Sequence, residues 1–308
     1  MTTLRIGTRK SPLALWQAEH VRALLLERTP SLHVELIKIT TEGDRILDRP
    51  LASAGGKGLF IKELEQALFD GRIDLAVHSM KDLTVTLPEG LHIAAVLERA
   101  DPRDAFVSGR YRRLDDLPAG ARIGTSSLRR QCQLRARFPR YDVVNLRGNV
   151  NTRLAKLDAG EFDALILAIA GLERLGLRQR VREGLDPAVS LPAVAQGAIC
   201  IESRRDDAAT NGYLAPLDHA QTRRCTAAER ALNAELQGGC QLPIAAYAEL
   251  HGDTLHLRAL VGDPEGREIL QAAGHGPVAE PEALGKRIAK ELLARGAGAL
   301  IEKAHRRA

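Results

Sequence analysis

Aromatic side chains are scarce, with only 3 % of the 308 residues being Phe, Trp or Tyr. Proteins that hold single-stranded nucleic acid use aromatic faces as stacking platforms, so the scarcity argues against that class despite a net charge of +5. No helix-turn-helix, RNA-recognition or zinc-finger signature offsets it. Cysteine is sparse too. The four lie at 132, 200, 225 and 240, never closer than fifteen residues. That spacing excludes a zinc knuckle and a C-x-x-C redox pair and is too thin for a disulfide scaffold, so no metal is expected and a reducing cytoplasm is the default. No apolar run approaches the ~20 residues of a membrane span. The opening MTTLRIGTRK has neither the apolar stretch nor the small-residue cleavage site of a secretory signal. Lysine supplies only 9 of the 44 basic residues; the other 35 are arginine. Arginine's planar fork suits bidentate recognition of carboxylates and phosphates, although an arginine-rich composition gives the same ratio without function.

At this length two or three domains are expected. LRI (4–6) reads as a strand, Ser11-Pro12 as N-cap and first residue of a helix to about Glu27, and HVELIKIT (33–40) as a strand buried on both faces. GLFIKELEQALF (58–69) is helical in period, and RIDLAVHS (72–79) is again a strand. A second series repeats the alternation: RIGT (122–125), a helix from about Ser127 to Arg137, YDVVNL (141–146), a helix from about Asn149, and ALILAIA (164–170). Alternation of this kind marks α/β lobes. LRIGTRKSPL (4–13) and ARIGTSSLRR (121–130) both set R-I-G-T between a strand and a helix start, where free N–H groups hold anions. ERADPRDAF (98–106) reads as a linker between lobes and AVAQGAICIE (193–202) as a strand crossing back. Beyond about Ala220 a helix (221–236), strands at 244–250, 254–262 and 267–273, and a helix from about Pro281 predict an α+β domain. The expected domains are 1–97 with 198–217, 103–192, and 218–308.

Residues 121–153 hold eight Arg and no Lys. Arg129 and Arg130 fall in the first turn of a helix, where cations oppose the macrodipole unless an anion is present. Arg147 and Arg153 flank a strand end and a new helix start, the edge at which α/β sheets bind ligands. A solvated basic face is the plain alternative to a site for a multi-carboxylate or phosphate ligand. VHSMKDL (77–83) ends a buried strand with Lys81 and Asp82, which either pair with each other or place Asp82 as an acid/base or counter-ion. GGKGLF (55–60) fails the phosphate-loop test, since Gly58 follows Lys57 where Ser or Thr is required; it reads as a glycine-rich lid. Cys240 follows Gly238 and Gly239 in ELQGGCQLPI, with no neighbouring side chain to cover it. A free or structural thiol is the plain reading, an attachment point the sharper one.

Taken together, RIGTRKSPLALWQ, GGKGLFIKELE, DLAVHSMKDL, DPRDAFVS, IGTSSLRRQ, LRGNVNTRL, AGLERLGL, AQGAICIE and GGCQLPI resemble one family across nearly the whole chain: hydroxymethylbilane synthase, also called porphobilinogen deaminase. The resemblance implies a cytoplasmic, monomeric transferase of porphyrin and heme biosynthesis. It would condense four porphobilinogens head to tail into a linear tetrapyrrole, releasing ammonia, with neither nucleic acid nor membrane as partner. It implies a dipyrromethane cofactor in thioether linkage to Cys240, and Asp82 as the catalytic carboxylate beside the azafulvenium cation left when ammonia departs. Lys81, Thr125, Ser127, Arg129 and Arg130 match positions that hold cofactor carboxylates. Arg9, Ser11, Arg147, Arg153 and Arg174 match positions around substrate and growing chain. The implied fold is two similar lobes like those of periplasmic binding proteins, with parallel-rich mixed sheets, plus a smaller α+β domain with an antiparallel sheet. One departure is KDLTVTLP, where Thr84 replaces the proline of K-D-V-P common in the family. A two-lobed binding protein for a polycarboxylate or phosphate ligand, without chemistry, is the rival reading; it has no use for Asp82 or the GGC loop.

Overall fold

Serine followed by proline starts the first helix as its chemistry dictates. Ser11 Oγ accepts from the Ala14 N–H at 3.3 Å, and Pro12 takes the first helical position, where no N–H is needed. The computed structural model describes residues 2–45, 58–239 and 241–306. Gly55, Gly56 and Lys57 of the expected lid, and Cys240, lie outside the described residues.

Two compact units emerge, up to Ala100 with Ala198–Arg223, and Asp101–Gly197 with Arg224–Ala308. In the first, β1 (Thr3–Arg9), α1 (Pro12–Arg28), β2 (His33–Ile39), α2 (Glu42–Arg45), α3 (Lys62–Phe69), β3 (Leu75–Ser79) and β4 (Leu91–Val96) are joined much later by β10 (Ile199–Arg204). The sheet order is β2-β1-β3-β10-β4, with β10 antiparallel to both neighbours and β1, β2 and β3 parallel. Strand alternation feeds two cores. Leu75 and Val77 pack on the α1 side with Leu4, Ile6, Val21 and Leu25. Ala76 packs on the α3 side with Leu64, Leu68 and Ile73. The second unit repeats the plan with β5 (Asp104–Val107), β6 (Arg122–Gly124), α4 (Leu128–Arg137), β7 (Asp142–Val144), α5 (Val150–Asp158), β8 (Ala164–Ala168), α6 (Ile169–Arg174) and β9 (Glu183–Gly184). Its order is β7-β6-β8-β5-β9, again three parallel strands followed by an antiparallel one.

The shared R-I-G-T has a packing reason in each sheet. A Cβ on Gly7 would meet the Ile73 side chain, and one on Gly124 would lie 2.8–2.9 Å from Leu165, Leu146 and Phe162. β1 and β6, each second from the edge of its sheet, therefore need glycine just before the threonine of the shared stretch. The chain continues through α7 (Ala208–Leu214) and α8 (Ala220–Glu235) to β11 (Ile244–His251), β12 (Thr254–Gly262) and β13 (Ile269–Pro277), an antiparallel sheet in that order, and ends in α9 (Pro281–Ala294) and α10 (Ala297–His305). Leu232, Leu257, Ile288, Leu292 and Ile301 lie in its core. The α/β class, with two similar parallel-rich mixed sheets and a small antiparallel one, is as expected from the sequence.

The helix expected from residue 58 begins at Lys62, the strand expected from residue 72 begins at Leu75, and other readings change more. Residues 193–198 are not strand; only Ile199 onward pairs, because Ala195 and Gly197 have φ of 56° and 91°, which no strand tolerates. The stretch read as linker ends in β5, every residue of which is buried. Ile169 and Ala170 open a helix instead of closing β8. The last strand runs to Pro277, four residues beyond the expected end.

Candidate active site

In the first unit the candidate residues gather at strand ends. Arg9 closes β1, with its guanidinium 4.0 Å from the Phe60 ring centroid, a cation–π contact. Ser11 spends its hydroxyl on the α1 cap. Beyond β3 a tight turn, Met80–Asp82, carries Lys81 and Asp82, both half-buried, between buried Met80 and Leu83. The turn is closed by Leu83 N–H donating to the Met80 carbonyl at 3.3 Å. Thr84, standing where proline is common, donates its hydroxyl to the Thr86 carbonyl at 2.9 Å. A side-chain hydrogen bond thus does locally what a ring would do by constraint.

The same unit buries a histidine–carboxylate pair that the sequence does not single out. His78 Nε2 lies 3.0 Å from Glu202 Oε2, and both side chains are buried. Burial pushes the Glu65 carboxyl up to about 7, with Glu202 adding to the rise and His78 and Lys62 opposing it. Neither Glu65 Oε1 nor Glu202 Oε1 has a hydrogen-bond partner among the described residues. A carboxyl raised in the folded state binds its proton more tightly than in the unfolded chain. Stability is therefore lost as pH rises from about 4.5 towards 7. Glu65→Gln should raise the melting temperature by roughly 2–4 °C at pH 8 and leave it nearly unchanged at pH 5. Melts at the two pH values check this, and an equal shift at both would refute the titration.

In the second unit the arginines divide. Thr125, buried at the end of β6, accepts from the Ser127 N–H at 3.3 Å, and Ser127 precedes α4 as its N-cap residue. Arg129 and Arg130, in the first turn of α4, are 3 % and 6 % exposed. The anion that their position demands is the protein's own Asp104, fully buried at the start of β5. Arg129 donates through both terminal nitrogens to Asp104, at 2.8 and 3.1 Å, and to the Leu191 carbonyl. Arg130 donates to Asp104 from Nε at 3.0 Å and from a terminal nitrogen at 2.7 Å, and to the Ile166 carbonyl. Ser190 Oγ at 2.7 Å and Gln196 Nε2 at 2.9 Å complete the carboxylate's shell. Burial alone would push Asp104 up, but the two guanidiniums outweigh it and hold the carboxyl well below its usual range. Arg130 is pushed down, because burial and Arg129 outweigh its share of one anion.

Two cations against one anion leave a surplus positive charge in a dry place, and Arg129 Nε is buried without a partner among the described residues. Arg153 adds to the field. Its Nε donates to the Gly148 carbonyl at 2.7 Å, and burial, with Arg130 and Arg147, pushes it down to about 10. Arg147 is exposed just beyond β7. Arg174, at the end of α6, donates to the Gly197 carbonyl at 2.6 Å and is pushed down to about 10 by burial. Asp104→Asn should cost about 3–5 kcal/mol, since it strands two buried guanidiniums. Urea unfolding measures it, and a loss under 1 kcal/mol would mean that water replaces the carboxylate. Because the Asp104 pKa is depressed, its contribution is full above about pH 3.8 and is lost only as the pH falls further.

Residues 4–212 match the sequence model described as porphobilinogen deaminase, dipyromethane cofactor binding domain, and residues 223–294 that described as porphobilinogen deaminase, C-terminal domain. The chain belongs to the porphobilinogen deaminase family. It is an enzyme that condenses porphobilinogen into hydroxymethylbilane with release of ammonia, on a dipyrromethane cofactor. Solved structures resemble it remotely. The periplasmic aliphatic sulphonate binding protein SsuA from Escherichia coli is 16 % identical, with 77 % of this chain and 71 % of that one covered and a TM-score of 0.41. A putative methionine-binding lipoprotein from Bacillus subtilis is 14 % identical, with 70 % and 90 % covered and a TM-score of 0.43. Porphobilinogen deaminase chemistry handles substrates rich in carboxylates. The surplus charge at Arg129 and Arg130, with one buried N–H still unspent, suits a carboxylate-bearing dipyrromethane.

Proposed function

We propose that Asp82 and Cys240 carry the reaction and that the arginines hold the carboxylates of its participants. The observation behind this reading is the buried pair Arg129 and Arg130, which shares one carboxylate and keeps one N–H unspent. When bound, dipyrromethane supplies the nucleophilic pyrrole carbon to which the first porphobilinogen is joined. Cys240, outside the described residues, is its attachment point in this reading. Arg129 and Arg130, with Lys81, Thr125 and Ser127, hold its acetate and propionate groups. Arg9, Ser11, Arg147, Arg153 and Arg174 hold incoming substrate and the lengthening chain. Asp82 faces the pyrrole N–H groups and stabilises the positive charge that ammonia leaves on porphobilinogen; an oriented carboxylate in a half-buried turn does this without reorganising.

The domain limits in this reading are 1–97 with 198–217, 103–192, and 218–308. The reading includes a cytoplasmic monomer; Cys132, Cys200 and Cys225 are buried and form no disulfide among the described residues, and no described helix is long and apolar enough to cross a membrane. Nucleic acid and membrane have no role in it. Peptide mapping of the purified protein tests the reading: an adduct of two pyrrole rings is expected on Cys240. Brief exposure to porphobilinogen should then add ring masses stepwise. A binding protein without chemistry would show neither result.

A further inference from the structure

The turn that replaces the expected strand at 193–198 sits against the arginine centre. Ala195 is fully buried with φ of 56°, a left-handed conformation that alanine adopts at a cost glycine does not incur. The next residue, Gln196, donates from Nε2 to Asp104 Oδ1 at 2.9 Å and to the Pro102 carbonyl at 2.6 Å, and its Oε1 accepts from Arg130 at 3.4 Å. After it, the Gly197 carbonyl accepts from Arg174 at 2.6 Å. One strained residue therefore sets the direction of two neighbours that hold two candidate ligand-binding arginines.

What holds Ala195 there is a carboxylate used by no step of the reaction. Glu229, fully buried in α8, accepts the Ala195 N–H on Oε2 at 2.6 Å and the Ala248 N–H of β11 on Oε1 at 2.8 Å. Burying a carboxylate is costly unless it is well bonded. A residue that only filled space in α8 would be apolar.

We propose that Glu229 is a positioning residue: it clamps Ala195 in the left-handed turn and through Gln196 and Gly197 sets Arg130 and Arg174 for carboxylate binding. This rests on the arginine roles given under Proposed function. Glu229→Gln turns an amide N–H₂ towards one of the two backbone donors and so breaks one of the two bonds. It should lower kcat/KM for porphobilinogen roughly tenfold, mostly through KM, as expected for a lost buried hydrogen bond that acts on binding. Adding Ala195→Gly should restore most of the loss, because glycine holds a positive φ without the clamp. Ala195→Val, which keeps Glu229 and its bond to β11, should reproduce the defect, since a β-branched residue resists that conformation.

Kinetics of the holoenzyme variants, with melting temperatures in parallel, decide the matter. Wild-type KM in Glu229→Gln or Ala195→Val, or no rescue by Ala195→Gly, overturns the proposal. If Glu229→Gln does not fold, Ala195→Val alone decides. Arg174→Gln, at the arginine assigned to incoming substrate, serves as the control. Wild-type kinetics there would sink the arginine reading itself, whereas a raised KM in Arg174→Gln with normal Glu229→Gln and Ala195→Val sinks only the clamp.

Discussion

Cys240→Ser should yield a folded protein with no pyrrole adduct and with turnover reduced by at least three decades, ~4 kcal/mol or more of barrier. A thioether needs a thiolate, and a serine hydroxyl does not ionise in the accessible range. The other thiols offer no substitute. Burial pushes Cys132 up to about 12, with its Sγ 3.2 Å from the Arg129 carbonyl, and Cys200 and Cys225 are buried in β10 and α8. The variant should also melt lower than the holoenzyme, because the attached rings make non-covalent contacts only in the folded chain, and in the proposed reading these include the guanidiniums of Arg129 and Arg130. Intact mass, turnover and a thermal melt check the three parts. A serine variant that still carries two rings, or an adduct mapping to Cys132, would refute the attachment.

Asp82→Asn should retain the adduct and lose two to three decades of turnover, the usual effect of removing one oriented group facing developing charge. The amide keeps the shape and sits in a turn pinned by buried Met80 and Leu83, so the change isolates charge from position. A loss below tenfold, ~1.4 kcal/mol, would assign the stabilisation elsewhere. The two variants separate assembly from chemistry: the first fails to load, while the second loads and stalls.

Where side chain and backbone signals are local, the fold is legible in the sequence. Ser11-Pro12 starts α1, and the two R-I-G-T stretches mark equivalent strands, second from the edge, in two like sheets, each by a glycine that its neighbours crowd. The arginines at the start of α4 announce an anion, but not its source. Asp104 sits in a polar stretch that reads as linker, and its partners are 25, 26, 86 and 92 residues away in the chain. Residues 193–198 mislead for a related reason. Their apolar composition fits a strand, whereas an unlike fold of the backbone at Ala195 is imposed by Glu229 from a distant helix. Local pattern gives elements and sites at their ends; buried ion pairs and strained turns come from tertiary context.

The central place of β10 in the first sheet constrains how the protein is made. β10 lies between β3 and β4 and hydrogen-bonds to both, yet it leaves the ribosome only after residues 101–197 have been synthesised. At ~5–20 residues per second, the nascent chain spends about 5–20 s with those two strands lacking their shared partner. Each presents an open edge during that interval, the kind of edge on which strands from other chains add. Shielding by a chaperone, or a slowing of translation once β10 has emerged, would favour correct closure over pairing between neighbouring nascent chains.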